Sequence, residues 1–150
     1  MSDIFAKLNL KQPREILVLN APASFLPELA GLADAAVQTE LAEATIEFAL
    51  VFVTTREELE RIAPAIISRA TGDAVLWFAY PKKSSKRYQS DLSRDAGWQP
   101  LGNAGYECVR MVAIDADWSA ARFRHVDFIR SLQRDPRRRL SSRPQGPPNS

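Results

Sequence analysis

The sequence predicts an α/β protein: a three-layer sandwich whose mostly parallel sheet is closed by a C-terminal antiparallel hairpin. Three observations carry this reading. Four short runs are almost continuously apolar, EILVLN (15–20), EFALVFV (47–53), AVLWFAY (74–80) and CVRMVAI (108–114), as strands covered by helices on both faces are. The interval after the second run holds a capped amphipathic helix. The interval after the fourth, DADWSA, is too short for a parallel crossover, which needs a dozen or more residues.

In chain order, EILVLN is the first strand and AAVQTEL (35–41) a weaker one nearer an edge. After Val53, Thr55 followed three residues on by Glu58 makes a capping box. Leu59, Ile62, Ala63, Ile66, Ile67 and Ala70 then recur at helical spacing as one stripe. Pro64 removes a backbone donor inside that helix and should kink it, and Gly72 stands where a helix stop is expected. A strand, this helix and the 74–80 strand form a right-handed parallel crossover. The next crossover, Pro81 to Gly105, reads as a loop (PKKSSKRY) with helical pieces at Tyr88–Asp95 and Pro100–Ala104. CVRMVAI and ARFRHV then pair as a hairpin, with Phe123 and His125 on one face of the last strand, an edge or hairpin strand, and Arg122 and Arg124 on the other.

Composition bounds the function classes. The chain has 150 residues, 45% hydrophobic and 25% charged, ordinary values for one soluble domain. It has no apolar run long enough to span a membrane. The start of the chain lacks the pattern of a secretion signal, and the lone Cys108 suits a reducing compartment, so a cytoplasmic protein is expected. Residues 134–150 carry five arginines against one aspartate, which leaves −2 of the chain's +2 on residues 1–133. That tail has one Leu and four prolines, too little apolar surface to offset ordering, and is expected to be disordered. The expected domain is thus 1–133.

The segments ILVLNAP (16–22), WFAYPK (77–82), DAGWQPLG (95–102) and VAIDADWSAARFR (112–124) resemble a family of small uncharacterised bacterial proteins, a domain of unknown function. With the order of elements, they also resemble the class I methyltransferase-type, Rossmann-like fold, shortened by about one strand–helix unit. The resemblance implies the fold and no activity. Such methyltransferases place a Gly-rich turn after the first strand so that backbone can approach the cofactor. Here that strand runs into NAPASFLPELAG, where the first glycine is Gly31. Only Glu40 and Glu43 stand where an acidic residue would grip the ribose. The expectation is therefore no S-adenosylmethionine and no other cofactor.

Other chemistry is thin. One His and one Cys cannot build a structural zinc site, and neither a phosphate loop nor a nucleophile elbow is present. Cys108 reads as a packing thiol and His125 as structural. Topology offers more, because ligands of open α/β sheets bind outside the carboxyl ends of the parallel strands. Those ends deliver Asn20 and Ser24, then Thr54 and Thr55, then Lys82, Lys83, Ser84, Ser85, Lys86 and Arg87, and finally Asp115, Asp117 and Trp118. The candidate ligand-binding residues are Asn20, Thr54, Lys82, Lys83, Lys86, Arg87, Asp115 and Trp118. The cation cluster also reads as a solvated loop, with Asp91 and Asp95 near enough to pair it. Trp77 is expected in the core, and Trp98 and Trp118 packed over the sheet ends.

The function expected from these residues is a non-catalytic binding or regulatory domain for a small anionic ligand or an acidic partner segment. The alternative is an enzyme on a degenerate methyltransferase-like fold, using Lys82 and Asp115. A second alternative is weak nucleic-acid binding through the basic loop and tail, which the acidic body disfavours.

Overall fold

The computed structural model describes residues 3–8, 10, 15–32, 36–41, 45–93 and 96–129. The tail, Glu43 and Asp95 lie outside the described residues, so the expectations for them stop there.

Six strands form one sheet in the order β2-β1-β3-β4-β6-β5. They are β1 (Glu15–Leu19), β2 (Ala36–Gln38), β3 (Ile46–Phe52), β4 (Ala70–Pro81), β5 (Tyr106–Ala113) and β6 (Trp118–His125). The first four run parallel, and β6 is antiparallel to both β4 and β5. The parallel sheet with its closing hairpin is therefore as the sequence predicts, and β2 is the edge expected.

β6 folds back between β4 and β5, so the alternating strand ARFRHV is interior and the apolar-looking CVRMVAI lies at the edge. The burial of β5 shows it, with Val109, Arg110 and Ala113 exposed. Cys108 is accordingly half-buried beside Met111.

Alternation along the strands sorts the side chains into two cores. On one face Leu17, Leu19, Ala49, Val51, Leu76, Phe78 and Phe123 meet α3 (Arg56–Arg69) and α4 (Gln99–Asn103) through Leu59, Ala63, Ile66 and Leu101. On the other Ile16, Val18, Phe48, Leu50, Phe52 and Trp77 meet α1 (Asp3–Lys7), through Ile4 and Phe5, and Phe25 of a 3-10 turn leading into α2 (Leu26–Ala30). Helices on both faces of the sheet make the three layers. Trp77 locks α1 in place, donating its indole N–H to the Leu8 carbonyl at 2.8 Å.

Helix α3 begins as the capping box predicts. Thr55 accepts from the Glu58 amide at 3.1 Å, and the Glu58 carboxylate reaches back one residue further than expected, to the Thr54 amide at 2.7 Å. Pro64 lies inside the helix without ending it. The helix stops at Arg69, before Gly72. Ala70 is already extended, and Gly72 sits at φ 56 in an irregularity where Ile46 pairs with Ala70 but Phe48 with Val75.

The piece expected as helix at Tyr88–Asp95 is not helical over its described residues, 88–93. Its polar side chains hold the backbone elsewhere, as short hydroxyls and carboxylates do when they compete with helix bonds. Ser85 accepts from the Tyr88 amide, Ser90 from the Leu92 amide, and Asp91 is spent on α3. Gly97 closes this segment at φ 101.

Two alanine substitutions separate backbone strain from crowding. A Cβ at Gly72 meets nothing within 4 Å, so Gly72→Ala should cost only the left-handed penalty, roughly 1–2 kcal/mol. A Cβ at Gly97 would overlap Cδ2 of the buried Leu92 and press on Arg56. Gly97→Ala should therefore cost about 2–4 kcal/mol. Urea unfolding of both variants checks the order, and equal losses would contradict it.

Candidate functional site

At the carboxyl edge the first turn is Asn20. Its φ of 60 makes it the non-glycine residue with positive φ among the described residues. Asparagine tolerates this left-handed conformation better than most residues. The backbone shape that a glycine would supply after β1 is thus present, although no glycine stands there. The Asn20 side chain points down to the end of β3, its amide nitrogen 3.4 Å from the Phe52 carbonyl.

The second contribution, after β3, is the N-terminus of α3. Such a terminus attracts anions, but here the protein's own carboxylates occupy it. Glu58 accepts from the amide and, at 3.3 Å, from the hydroxyl of Thr54. Asp91 accepts from the Arg56 amide at 2.7 Å, and the Arg56 side chain returns a bond to the Asp91 carbonyl. Thr54 is therefore committed to capping, and Asp91 caps α3 instead of pairing the lysines.

The third and fourth contributions are knotted together by Asp117. Its carbonyl accepts from the Lys82 amide at 2.8 Å, and its carboxylate from the Ser85 hydroxyl at 2.9 Å. Arg87 lies 4.0 Å away with three-quarters of its side chain exposed, a pairing worth little. Asp115 turns the chain between β5 and β6, one oxygen accepting from the Asp117 and Trp118 amides at 2.8 and 2.9 Å. That is a turn-forming role. Lys83 and Lys86 are exposed and Lys82 is half-buried. Among the described residues no carboxylate pairs with any of the three lysines.

Aromatic rings fill the sheet end beneath this loop. Phe25 packs on Phe52 at 5.0 Å between centroids, Phe52 on Trp118 at 5.1 Å and Trp118 on Tyr88 at 4.9 Å. Trp98 packs on Tyr80 and Phe123 on the other face and donates to the Ser93 carbonyl. All three tryptophans are buried, as expected. The Trp118 indole N–H alone of the three has no acceptor.

A cleft of about 270 Å³ lies elsewhere, at the β2 side of the sheet, lined by Glu15, Leu17, Gln38, Glu40, Ile46 and Phe48. Of the residues 39–45 that join β2 to β3, the described ones, 39–41 and 45, are not helical. Glu40 faces this cleft. The sequence carried no signal for it, because a missing helix leaves no motif. Nor could spacing reveal that Asp117 ties the lysine loop to the β5–β6 turn or that Asp91 caps α3. Among the described residues no group of His, Cys, Asp and Glu could hold a metal ion, and no helix is long and apolar enough to cross a membrane.

No family model matches the chain, and no curated protein matches it. Solved structures do. A SAM-dependent methyltransferase from Aquifex aeolicus superposes with a TM-score of 0.58 at 18% identity, over 81% of this chain and 87% of that one. The DhpI-SAM-HEP complex gives 0.54 at 9%, over 80% and 83%. Magnesium protoporphyrin IX methyltransferase from Synechocystis with bound SAH gives 0.53 at 9%, over 81% and 78%. The fold is methyltransferase-like. At these identities the likeness concerns the fold, and it does not reach the uncharacterised bacterial family that the sequence motifs resemble.

The residues at the carboxyl edge do not fit the S-adenosyl cofactor that this fold implies. The Asn20 turn has the right backbone sense, but its side chain is directed to Phe52, Glu40 faces the cleft, and rings pack over the strand ends.

The tryptophans yield a stability test. Trp77→Phe takes the indole donor from the Leu8 carbonyl and Trp98→Phe leaves the Ser93 carbonyl with only the longer 3.4 Å bond from the Ala96 amide, whereas Trp118→Phe removes a buried donor that has no acceptor. A buried polar group without a partner costs about 1–3 kcal/mol. Trp118→Phe should therefore be the mildest of the three by roughly that amount in chemical denaturation. A Trp118→Phe loss as large as the other two would refute the assignment.

Proposed function

We propose that this protein is an enzyme on a degenerate methyltransferase-like fold, taking a small anionic substrate at the carboxyl edge of its sheet. The observation that carries the substrate class is the unpaired state of Lys82, Lys83 and Lys86, on a loop that Asp117 anchors by Lys82 N and Ser85. Loop lysines with a paired counterion would be mere solubility; these have none among the described residues. Support for catalysis over a purely non-catalytic domain comes from kinship of fold with the methyltransferases above and from the left-handed turn at Asn20. Asp115 enters the reading as the residue that shapes the β5–β6 turn. A cytoplasmic setting remains part of this proposal.

A second reading, the non-catalytic binding or regulatory domain, is favoured by the Phe25–Phe52–Trp118–Tyr88 rings that occupy the strand ends. A panel of S-adenosylmethionine, S-adenosylhomocysteine, nucleotides and sugar phosphates, followed by thermal unfolding of the full chain, divides the readings. A ligand at a hundred times its dissociation constant should raise the midpoint by about 5–10 °C. Stabilisation by a panel member, lost in the Lys82→Ala/Lys83→Ala variant, is the expected result. Turnover of that compound separates enzyme from binding domain. Stabilisation that survives the double substitution would remove the lysine loop from the site.

A further inference from the structure

On the sheet face that carries α1, β6 changes from apolar to cationic along its length. Trp118 and Ala120 belong to the buried cluster of that face, and Arg122 and Arg124 continue the same side of the strand. Register sets Arg122 between Trp77 of β4 and Arg110 of β5. Opposed side chains in an antiparallel pair begin about 5 Å apart, and those two residues apart on one strand about 7 Å. Like charges so placed work against the sheet.

The acidic groups facing this row among the described residues are Asp73 and Glu107. Asp73 is held in a fork by Arg124, with contacts of 2.9, 3.1 and 2.6 Å. Glu107 stands opposite Arg124, fully buried and engaged in an interaction of its own. Arg122 and Arg110 have no ion pair among the described residues, and Arg122 Nε is buried without an acceptor. Burial first, then Arg124, holds the Arg122 guanidinium below its ordinary value, with Asp73 opposing and Arg110 adding to the effect. Arginine nonetheless stays charged, so what this row lacks is an anion.

We infer that this arginine face is a binding site for a small phosphate-class oxyanion, inorganic phosphate or a phosphate monoester, gripped by Arg122 and Arg110 beside the Arg124–Asp73 pair. Guanidinium forks match phosphate oxygens two at a time. Asp73 and Glu107 border the row and would repel the continuing charges of a polyanion, which sets a compact ligand ahead of a nucleic-acid track. The site lies along the middle and amino-terminal part of β4, at Trp77 and Asp73, whereas the lysine loop begins at its carboxyl end, after Pro81. It is thus independent of the reading above.

The test is thermal unfolding of the full chain in low-millimolar phosphate against chloride at equal ionic strength, below the range where excluded salts stabilise proteins generally. Phosphate should raise the midpoint saturably, by about 5–10 °C at a hundredfold excess over the dissociation constant. Arg122→Gln and the exposed Arg110→Gln should each lose that rise, while Lys82→Ala/Lys83→Ala keeps it. In chloride, Arg122→Gln should be no less stable than the parent, because it relieves repulsion. A parent chain that does not distinguish phosphate from chloride overturns the proposal. So does a rise that survives both arginine substitutions, or one that only a short DNA oligonucleotide produces.

Discussion

Strand β6 is bonded on both sides, to β4 and to β5, and its insertion between them sets the positions of most groups with functional potential. The turn that reverses the chain from β5 into β6 must come back beside the carboxyl end of β4, which brings Asp117 against Lys82 and Ser85. The same insertion carries Arg122 and Arg124 into the middle of the sheet face, where they stand beside Trp77 and Asp73 rather than at a solvent edge. It also pushes β5 outward, so that a strand rich in Val and Met has one unpaired side. Antiparallel bonding on both flanks compensates by giving the interior strand a full set of backbone partners.

A second constraint is how the protein spends its own carboxylates. Glu58 and Asp91 both sit on the N-terminus of α3, Asp115 makes the β5–β6 turn, and Asp117 ties that turn to the lysine loop. Each acid satisfies backbone or hydroxyl donors that would otherwise be orphaned. The consequence is electrostatic. Acids that could have neutralised Lys82, Lys83 and Lys86, or Arg110 and Arg122, are committed elsewhere, and the body of the protein is left with two cationic regions on a slightly acidic whole.

The shortened crossover between β2 and β3 has the opposite effect. With no helix among the described residues between β2 and β3, an acidic-rimmed cleft of about 270 Å³ opens at Glu15, Glu40 and Glu47. The methyltransferase-like sheet survives this loss because β1 still pairs on both sides, with β2 and β3. Loss of a covering element changes which surfaces are available while the strand order is retained.

Local and periodic features could be read from the sequence because their physics is local. The four apolar runs found their strands, the Thr55 cap and the Leu59–Ile66 stripe found α3, and the short DADWSA interval allowed only a hairpin. The alternation of Arg122 and Arg124 against Phe123 was also visible, since side-chain direction in a strand has a period of two. What the chain could not declare is which strand lies beside which. The polar alternation of ARFRHV fits an edge or a hairpin strand alike, and β6 is the interior strand of the hairpin, because its arginines face a partly open patch and its ladder bonds are backbone bonds that no side chain advertises. Tyr88–Asp95 is expected as helix and its described residues, 88–93, are not helical, since Ser85 and Asp91 find partners brought near by the fold and Ser90 takes the local Leu92 amide. The candidate residues lie at the strand ends, where topology alone puts them. Only the tertiary structure decided that Asp117 ties down the lysine loop and Asp91 caps α3 while the lysines stay unpaired, because hydrogen-bond partners 32 and 35 residues apart are chosen by packing and not by spacing.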